Sequence, residues 1–190
     1  VKLFKVGDRV SHASMPIGAY SEKHIMPENK LVPVPDGVSD EVASCVTLKG
    51  ITAEYLLHRA YTLKKGDKVL YHAAAGALGQ ILCPWANSIG AEIIGTVGSK
   101  EKEEIAKKNG CHHVINYTDK DFVEEVEKIV GKNGIDVVYD GVGLKTFEGS
   151  IEVLKIRGMM VAFGNASGYV DTIDVKKHIN AKGLFFTRPS

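Results

Sequence analysis

The sequence predicts a doubly wound α/β fold with a parallel sheet, and three observations predict it. From residue 68 onward, short apolar runs of strand character alternate with amphipathic segments of helical period, as successive βαβ units do. A run of small residues, Ala73 to Gly79, stands between one such strand and its helix, where a tight turn is needed. Gly76, Gly98, Val142 and Asn165 fall at four predicted strand ends, the rim at which open parallel sheets hold ligands.

In chain order, the first third carries strand and turn signals at 4–10, 18–22 and 31–35. The prolines of the last confine it to an edge or a connection. About three short strands do not make a stable β domain. The chain also starts at Val1, without methionine, inside an expected strand, so it reads as part of a longer protein. Ser39-Asp40-Glu41 opens a helix with a hydroxyl cap and first-turn acids. Gly50 is expected to interrupt it, and a second helix over 52–63 sets Ala53, Leu56, Leu57 and Ala60 on one side. Strand 69–71 follows, then helix 77–89, which Pro84 should kink or loosen in its first turn. Strand 93–97, helix 100–109, strand 113–116 and helix 120–130 (capped by Thr118) come next. Strand 135–139, helix 146–154, strand 159–163 and a last strand, Leu184-Phe185-Phe186-Thr187, complete the alternation.

The turn reads Ala74-x-Gly76-x-x-Gly79, a G-x-G-x-x-G whose first glycine is alanine. Small residues there let the backbone turn, approach a pyrophosphate and pack helix on strand while helix N–H groups face the anion. The competing reading is a helix-packing turn that happens to be small. Its place between strand and helix favours the cofactor. With 24 basic and 23 acidic residues and a net charge of +1, nothing draws the chain to nucleic acid or to a membrane surface. Three scattered cysteines form no disulfide framework, which fits a reducing, cytoplasmic setting.

Several motifs then appear in order: Phe4-x-x-Gly7-Asp8-Arg9-Val10, Gly18-Ala19-Tyr20, Lys49-Gly50-Ile51-Thr52-Ala53 and His72-Ala-Ala-Ala-Gly76. Ile115-Asn116-Tyr117, Tyr139-Asp140-x-Val142-Gly143 and Phe163-Gly164-Asn165 follow them. Together they resemble the NADPH:quinone oxidoreductases, the zinc-free, zeta-crystallin-like branch of the medium-chain dehydrogenase/reductase superfamily. The resemblance implies that 1–48 is the end of a GroES-like, β-rich catalytic domain and 49–190 most of a Rossmann-type NADPH domain. A C-terminal return segment would be missing. It implies cofactor contacts from Thr52 and Tyr55 near the nicotinamide, and from Gly76, Ala77, Leu78 and Gly79 at the pyrophosphate. Gly98, Ser99, Lys102 and Tyr117 would surround the adenosine ribose and its phosphate. Val142, Phe163, Gly164, Asn165 and Ala166 would line the cleft, with Pro189 and Ser190 at the nicotinamide end. Ala77 departs from the family's glycine, and negative φ at the first helical position should make it tolerable.

NADPH over NADH is expected on a further ground. NAD sites place a carboxylate at the end of the second strand, whereas here that end reads Thr96-Val97-Gly98-Ser99. Lys102 can bring a cation and Tyr117 a hydroxyl, against the local acids Glu101, Glu103 and Glu104. No catalytic acid or base stands out, and no metal set: Leu48, where zinc-dependent relatives carry a cysteine, cannot ligate. Adjacent Cys111-His112-His113 would point to opposite strand faces, and His72 reads as a satisfied core histidine. The resemblance implies hydride transfer from NADPH to a quinone or conjugated enone, with the cofactor carrying the chemistry. It also implies that this stretch alone turns over poorly. Two alternatives stand beside it: an enoyl-reductase-like enzyme of the same superfamily, and a non-catalytic RNA-binding module. A homodimer through the edge strand 184–187 is expected, because exposed apolar edges invite pairing.

Overall fold

The computed structural model describes residues 2–189, and its contacts divide the chain after Thr52. In the first unit only two strands form among the described residues, β1 (Val10–Ser11) and β2 (Val32–Pro33), paired antiparallel. The strand expected at 18–22 is absent and the segment bends instead, with Gly18 packed under the His24 ring. A strand without a neighbouring edge has nowhere to place its N–H and C=O groups. Arg9 ties the small sheet to the next helix through Asp40 Oδ1 (2.6 Å) and the Val38 carbonyl (2.6 Å).

Helix α1 (Asp40–Tyr55) starts as expected, with Ser39 Oγ accepting the Val42 N–H at 3.2 Å. It then runs unbroken through Gly50, contrary to expectation, and hands over to a π-helical turn at Leu56–Ala60. One glycine costs a helix only about 1 kcal/mol against alanine, too little by itself to end a helix of this length.

The second unit is a six-stranded, wholly parallel sheet of order β5-β4-β3-β6-β7-β8. Its strands are β3 (Lys68–His72), β4 (Glu92–Val97), β5 (His113–Asn116), β6 (Ile135–Asp140), β7 (Leu154–Ala162) and β8 (Phe185–Thr187). Between them lie α2 (Gly79–Ile89), α3 (Lys100–Lys108), α4 (Phe122–Val130) and α5 (Phe147–Val153). The chain winds outward from β3 to β5 and returns to build β6 on the other side of β3. The connections after β3 and β6 therefore diverge and open a crevice at the carboxyl ends of the strands. Alternate residues feed two cores: Val69, Tyr71, Ile93, Val137 and Tyr139 on one face, Leu70, Ile94, Val138 and Met160 on the other. Both faces are covered, so the strands read as continuous apolar runs.

Four local expectations need correction. Helix α2 begins at Gly79 rather than 77 and passes through Pro84 without interruption. Asp121, not Thr118, caps α4, accepting the Val123 and Glu124 N–H groups at 2.8 and 3.2 Å, because a carboxylate directly before the helix reaches them and a hydroxyl three residues earlier does not. Helix α5 ends at Val153 and β7 starts at once, earlier than 159. Lys182 Nζ donates to the Ile151 and Leu154 carbonyls (3.2 and 2.9 Å), which satisfies a helix end that has no loop to relax into. The last strand does lie at the sheet edge. No helix among the described residues is long and apolar enough to cross a membrane.

Candidate functional site

At the mouth of the crevice, the turn after β3 is built by mutual exclusion of side chains. Ala74 is fully buried and gives its N–H to the Thr96 carbonyl at 3.0 Å. A Cβ at Gly79 would lie 2.2 Å from the Ala74 carbonyl oxygen, and one at Gly95 2.6 Å from the Ala74 methyl. The alanine in the first motif position is thus accommodated by a missing side chain on the neighbouring strand. Ala77 avoids positive φ, as expected, but sits in the turn before α2, while Ala73 takes the left-handed conformation (φ 61°). Leu78 is buried at the helix start.

Next to that turn, Ala73, Ala75, Gly76, Val97, Gly98, Lys102 and Tyr117 line a cavity of ≈ 110 Å³. The Tyr117 hydroxyl lies over Gly98, 2.5 Å from where a Cβ would stand, so any larger residue at 98 would evict it. Ser99 caps α3 by accepting the Lys102 N–H at 3.4 Å, which leaves the Lys102 side chain at the cavity. The three neighbouring acids are engaged elsewhere: Glu104 with Lys107 (2.9 Å), Glu103 with Asn116 Nδ2 (3.2 Å), and Glu101 held below its usual carboxylate range by the Ser99 hydroxyl. None of them lines the cavity.

The other end of the crevice consists of the loops after β6 and β7, which lock backbone to backbone. Cβ atoms at Gly143 and Gly164 would meet the Gly168 and Gly141 carbonyl oxygens at 2.6 and 2.4 Å. Ser167 gives both its N–H (2.8 Å) and its hydroxyl (2.9 Å) to the Val142 carbonyl, and Ala166 N–H reaches the Gly141 carbonyl. Phe163 stacks on Tyr71 (6.4 Å, 12°). Gly164 and Asn165 share a second cavity, ≈ 200 Å³, with Asp140, Phe147, Met160 and Arg188. Arg188 donates to the Ala162 carbonyl at 2.9 Å. Burial pushes the Tyr55 phenol pKa up, and the Arg188 charge opposes it.

The structure thus gathers Gly76, Gly98, Lys102 and Tyr117 in one cavity, and Gly164 and Asn165 in another. Thr52 belongs to the first unit, where its hydroxyl donates to Leu48 O (2.7 Å). Pro189 lines neither cavity, and Ser190 lies outside the described residues. Sequence reasoning missed Asp140, fully buried. Its signal was legible: a carboxylate closing an apolar strand and leading into Gly-Val-Gly.

The description "Zinc-binding dehydrogenase" matches residues 77–189, more than half of the chain. The chain belongs to the zinc-binding dehydrogenase family. Within and around that family, it is 48% identical to a 2-haloacrylate reductase from Burkholderia sp over 98% of its length and 57% of the relative's. It is 45% identical to quinone oxidoreductase 1 of Escherichia coli (strain K12) over its whole length and 58% of that protein. The crystal structure of the Escherichia coli quinone oxidoreductase complexed with NADPH superposes with a TM-score of 0.95 at 45% identity, covering all of this chain and 58% of that one. The chain therefore spans less than two thirds of the length of these relatives.

The zinc in the family's description finds no fit here. Among the described residues no three His, Cys, Asp or Glu side chains converge. Cys111 is buried, and the neighbouring Cys83 thiol draws its pKa down. His112 Nδ1 accepts the Ile93 N–H (3.0 Å), and His113 faces Glu92 (3.2 Å). Three adjacent residues of the zinc-binding dehydrogenase fold thus have three separate partners.

Proposed function

We propose that this chain is the NADPH-binding part of an oxidoreductase that transfers hydride, without zinc, from NADPH to a quinone or similar conjugated carbonyl acceptor. The observation that carries the reading is the cavity beside Gly98. It has a strand end free of carboxylates, a lysine at its wall and a tyrosine hydroxyl over its floor. Such a set suits a ribose 2′-phosphate, which a carboxylate in that place would repel. Gly76, Ala77, Leu78 and Gly79 would hold the pyrophosphate at the start of α2. Gly98, Ser99, Lys102 and Tyr117 would hold the adenosine ribose and its phosphate. Val142, Phe163, Gly164, Asn165 and Ala166 would line the cleft, with Thr52, Tyr55, Pro189 and Ser190 toward the nicotinamide end. Bound NADPH supplies the hydride, and the chain's own residues orient it and shield it from water. Residues 1–48 would close a GroES-like domain, and the whole protein would work in the cytoplasm.

The 2-haloacrylate reductase relative supports a second acceptor class, a conjugated carbon–carbon double bond next to a carboxylate. Both acceptors are electron-poor conjugated systems, and one cleft would serve either. Full-length protein should oxidise NADPH in the presence of simple quinones. Running 2-haloacrylates and enoyl thioesters in parallel ranks the acceptors, and failure with all three overturns the reading. A steeply salt-dependent affinity for single-stranded RNA without NADPH oxidation would replace it with a binding role.

A further inference from the structure

Beneath the crevice, four side chains from four elements form one buried hydrogen-bonded line. Thr96 of β4, His72 of β3, Ser150 of α5 and Asp140 of β6 are each 1% exposed or less. Thr96 Oγ1 lies 2.9 Å from His72 Nδ1, His72 Nε2 lies 2.9 Å from Ser150 Oγ, and Ser150 Oγ lies 3.3 Å from Asp140 Oδ2. Asp140 Oδ2 also accepts the Thr146 hydroxyl (2.7 Å), and Oδ1 accepts the Val142 and Gly143 N–H groups at 2.7 and 2.9 Å.

The line has a direction. A carboxylate only accepts, and a hydroxyl has one proton to give. Ser150 spends it on Asp140, so toward His72 it must accept. His72 then carries its proton on Nε2, and the bare Nδ1 accepts from Thr96. We propose that Asp140 is the positioning residue of the crevice, fixing His72 as the Nε2–H tautomer and holding three strand ends in register through this one-way line. His72 leads directly into the Ala73–Gly79 turn, and the Thr96 carbonyl anchors that turn at Ala74. Thr96 stands two residues before Gly98. Asp140 sets Val142, whose carbonyl holds Ser167 and with it the Phe163–Ala166 loop. Both ends of the crevice thus meet at one buried carboxylate.

The proposal's kinetic arm rests on the NADPH reading above, and its spectroscopic arm does not. Asp140→Asn keeps the shape and one acceptor oxygen but sets an N–H donor against Ser150. The hydroxyl must then accept from Asn and give its proton to His72, which moves the imidazole proton to Nδ1. Nitrogen NMR of the labelled imidazole in the full-length protein should show Nε2–H in the wild type and Nδ1–H in Asp140→Asn. An unchanged tautomer overturns the proposal. Asp140→Ala leaves two loop N–H groups without an acceptor and should raise KM for NADPH at least about tenfold, with Asp140→Asn recovering most of the loss. A purely structural role would lower Tm in both variants and leave KM unmoved, which also overturns the proposal. If Asp140→Ala does not fold, the tautomer in Asp140→Asn decides. If the wild type does not oxidise NADPH, the functional reading fails alone. The tautomer in Asp140→Asn and the hydrogen exchange of the Val142 and Gly143 amides, faster in Asp140→Ala, then decide the proposal.

Discussion

Lys102 and His72 show how differently two residues beside the same crevice act. Lys102 stands at the wall of the smaller cavity with its acidic neighbours engaged elsewhere. A charge-assisted hydrogen bond to a ribose phosphate contributes about 1.5–3 kcal/mol, roughly ten- to a hundredfold in affinity. Lys102→Ala in the full-length protein should weaken NADPH binding at least about tenfold and barely alter NADH binding, as read by titration of both cofactors. Equal losses would show that Lys102 does not read the phosphate. His72 acts from below and stays neutral: burial lowers its pKa from the ordinary 6.5, and Asp140 only partly opposes this. The unfolded chain therefore takes up a proton near pH 6.5 that the folded chain refuses. The stability is fully present above that pH and declines as pH falls below it toward the lowered folded value. Urea midpoints measured across this range should drop more steeply for the wild type than for His72→Gln, and parallel slopes would refute the coupling. The sequence made Lys102 visible through its place after the strand. It also marked His72 as a core histidine, but the two bonds that satisfy it come from residues 24 and 78 positions away.

At the level of elements, caps and glycines separate what local chemistry decides from what packing decides. Asp121 accepts two N–H groups at the start of α4, and Asp121→Ala should lower stability by about 1 kcal/mol, seen as a shifted urea midpoint with an unchanged slope. The expectation of Thr118 failed because the helix starts later than its apolar pattern allows one to see. Two glycines make opposite predictions. Gly50 lies within α1 with nothing within 4 Å of where a methyl would stand, so Gly50→Ala should stabilise by roughly 0.5–1 kcal/mol. Gly79→Ala would drive a methyl to 2.2 Å from the Ala74 carbonyl. It should cost about 1–3 kcal/mol through overpacking and weaken cofactor binding, read by thermal denaturation and by NADPH titration. If the two substitutions had equal effects, the close approach at Gly79 would not be what that glycine serves.

For the whole molecule, the parallel order places β8 at an edge, with Phe185 exposed. We propose that this edge pairs with its copy across a two-fold axis, since an apolar edge with free N–H and C=O groups templates another strand. Light scattering of the full-length protein should give a dimer, and Phe185→Lys should shift it toward monomer. A wild-type monomer at high concentration would refute the pairing.

The alternation of strands and helices, the edge position of the last strand and the lysine–tyrosine pair of the smaller cavity were all legible in the sequence. Each depends on periodicity or on residues next to a strand end, which are short-range properties of the chain. Tertiary structure alone decided that α1 continues through Gly50, that Gly95 makes room for Ala74, and that Asp140 joins Ser150, His72 and Thr96. Those facts depend on which strands become neighbours. A carboxylate at the end of β6 and a hydroxyl on β4 are 44 residues apart in the chain, yet one imidazole and one serine hydroxyl connect them inside the fold. Burial then makes every donor and acceptor in that line obligatory, a constraint that arises only after the sheet has assembled.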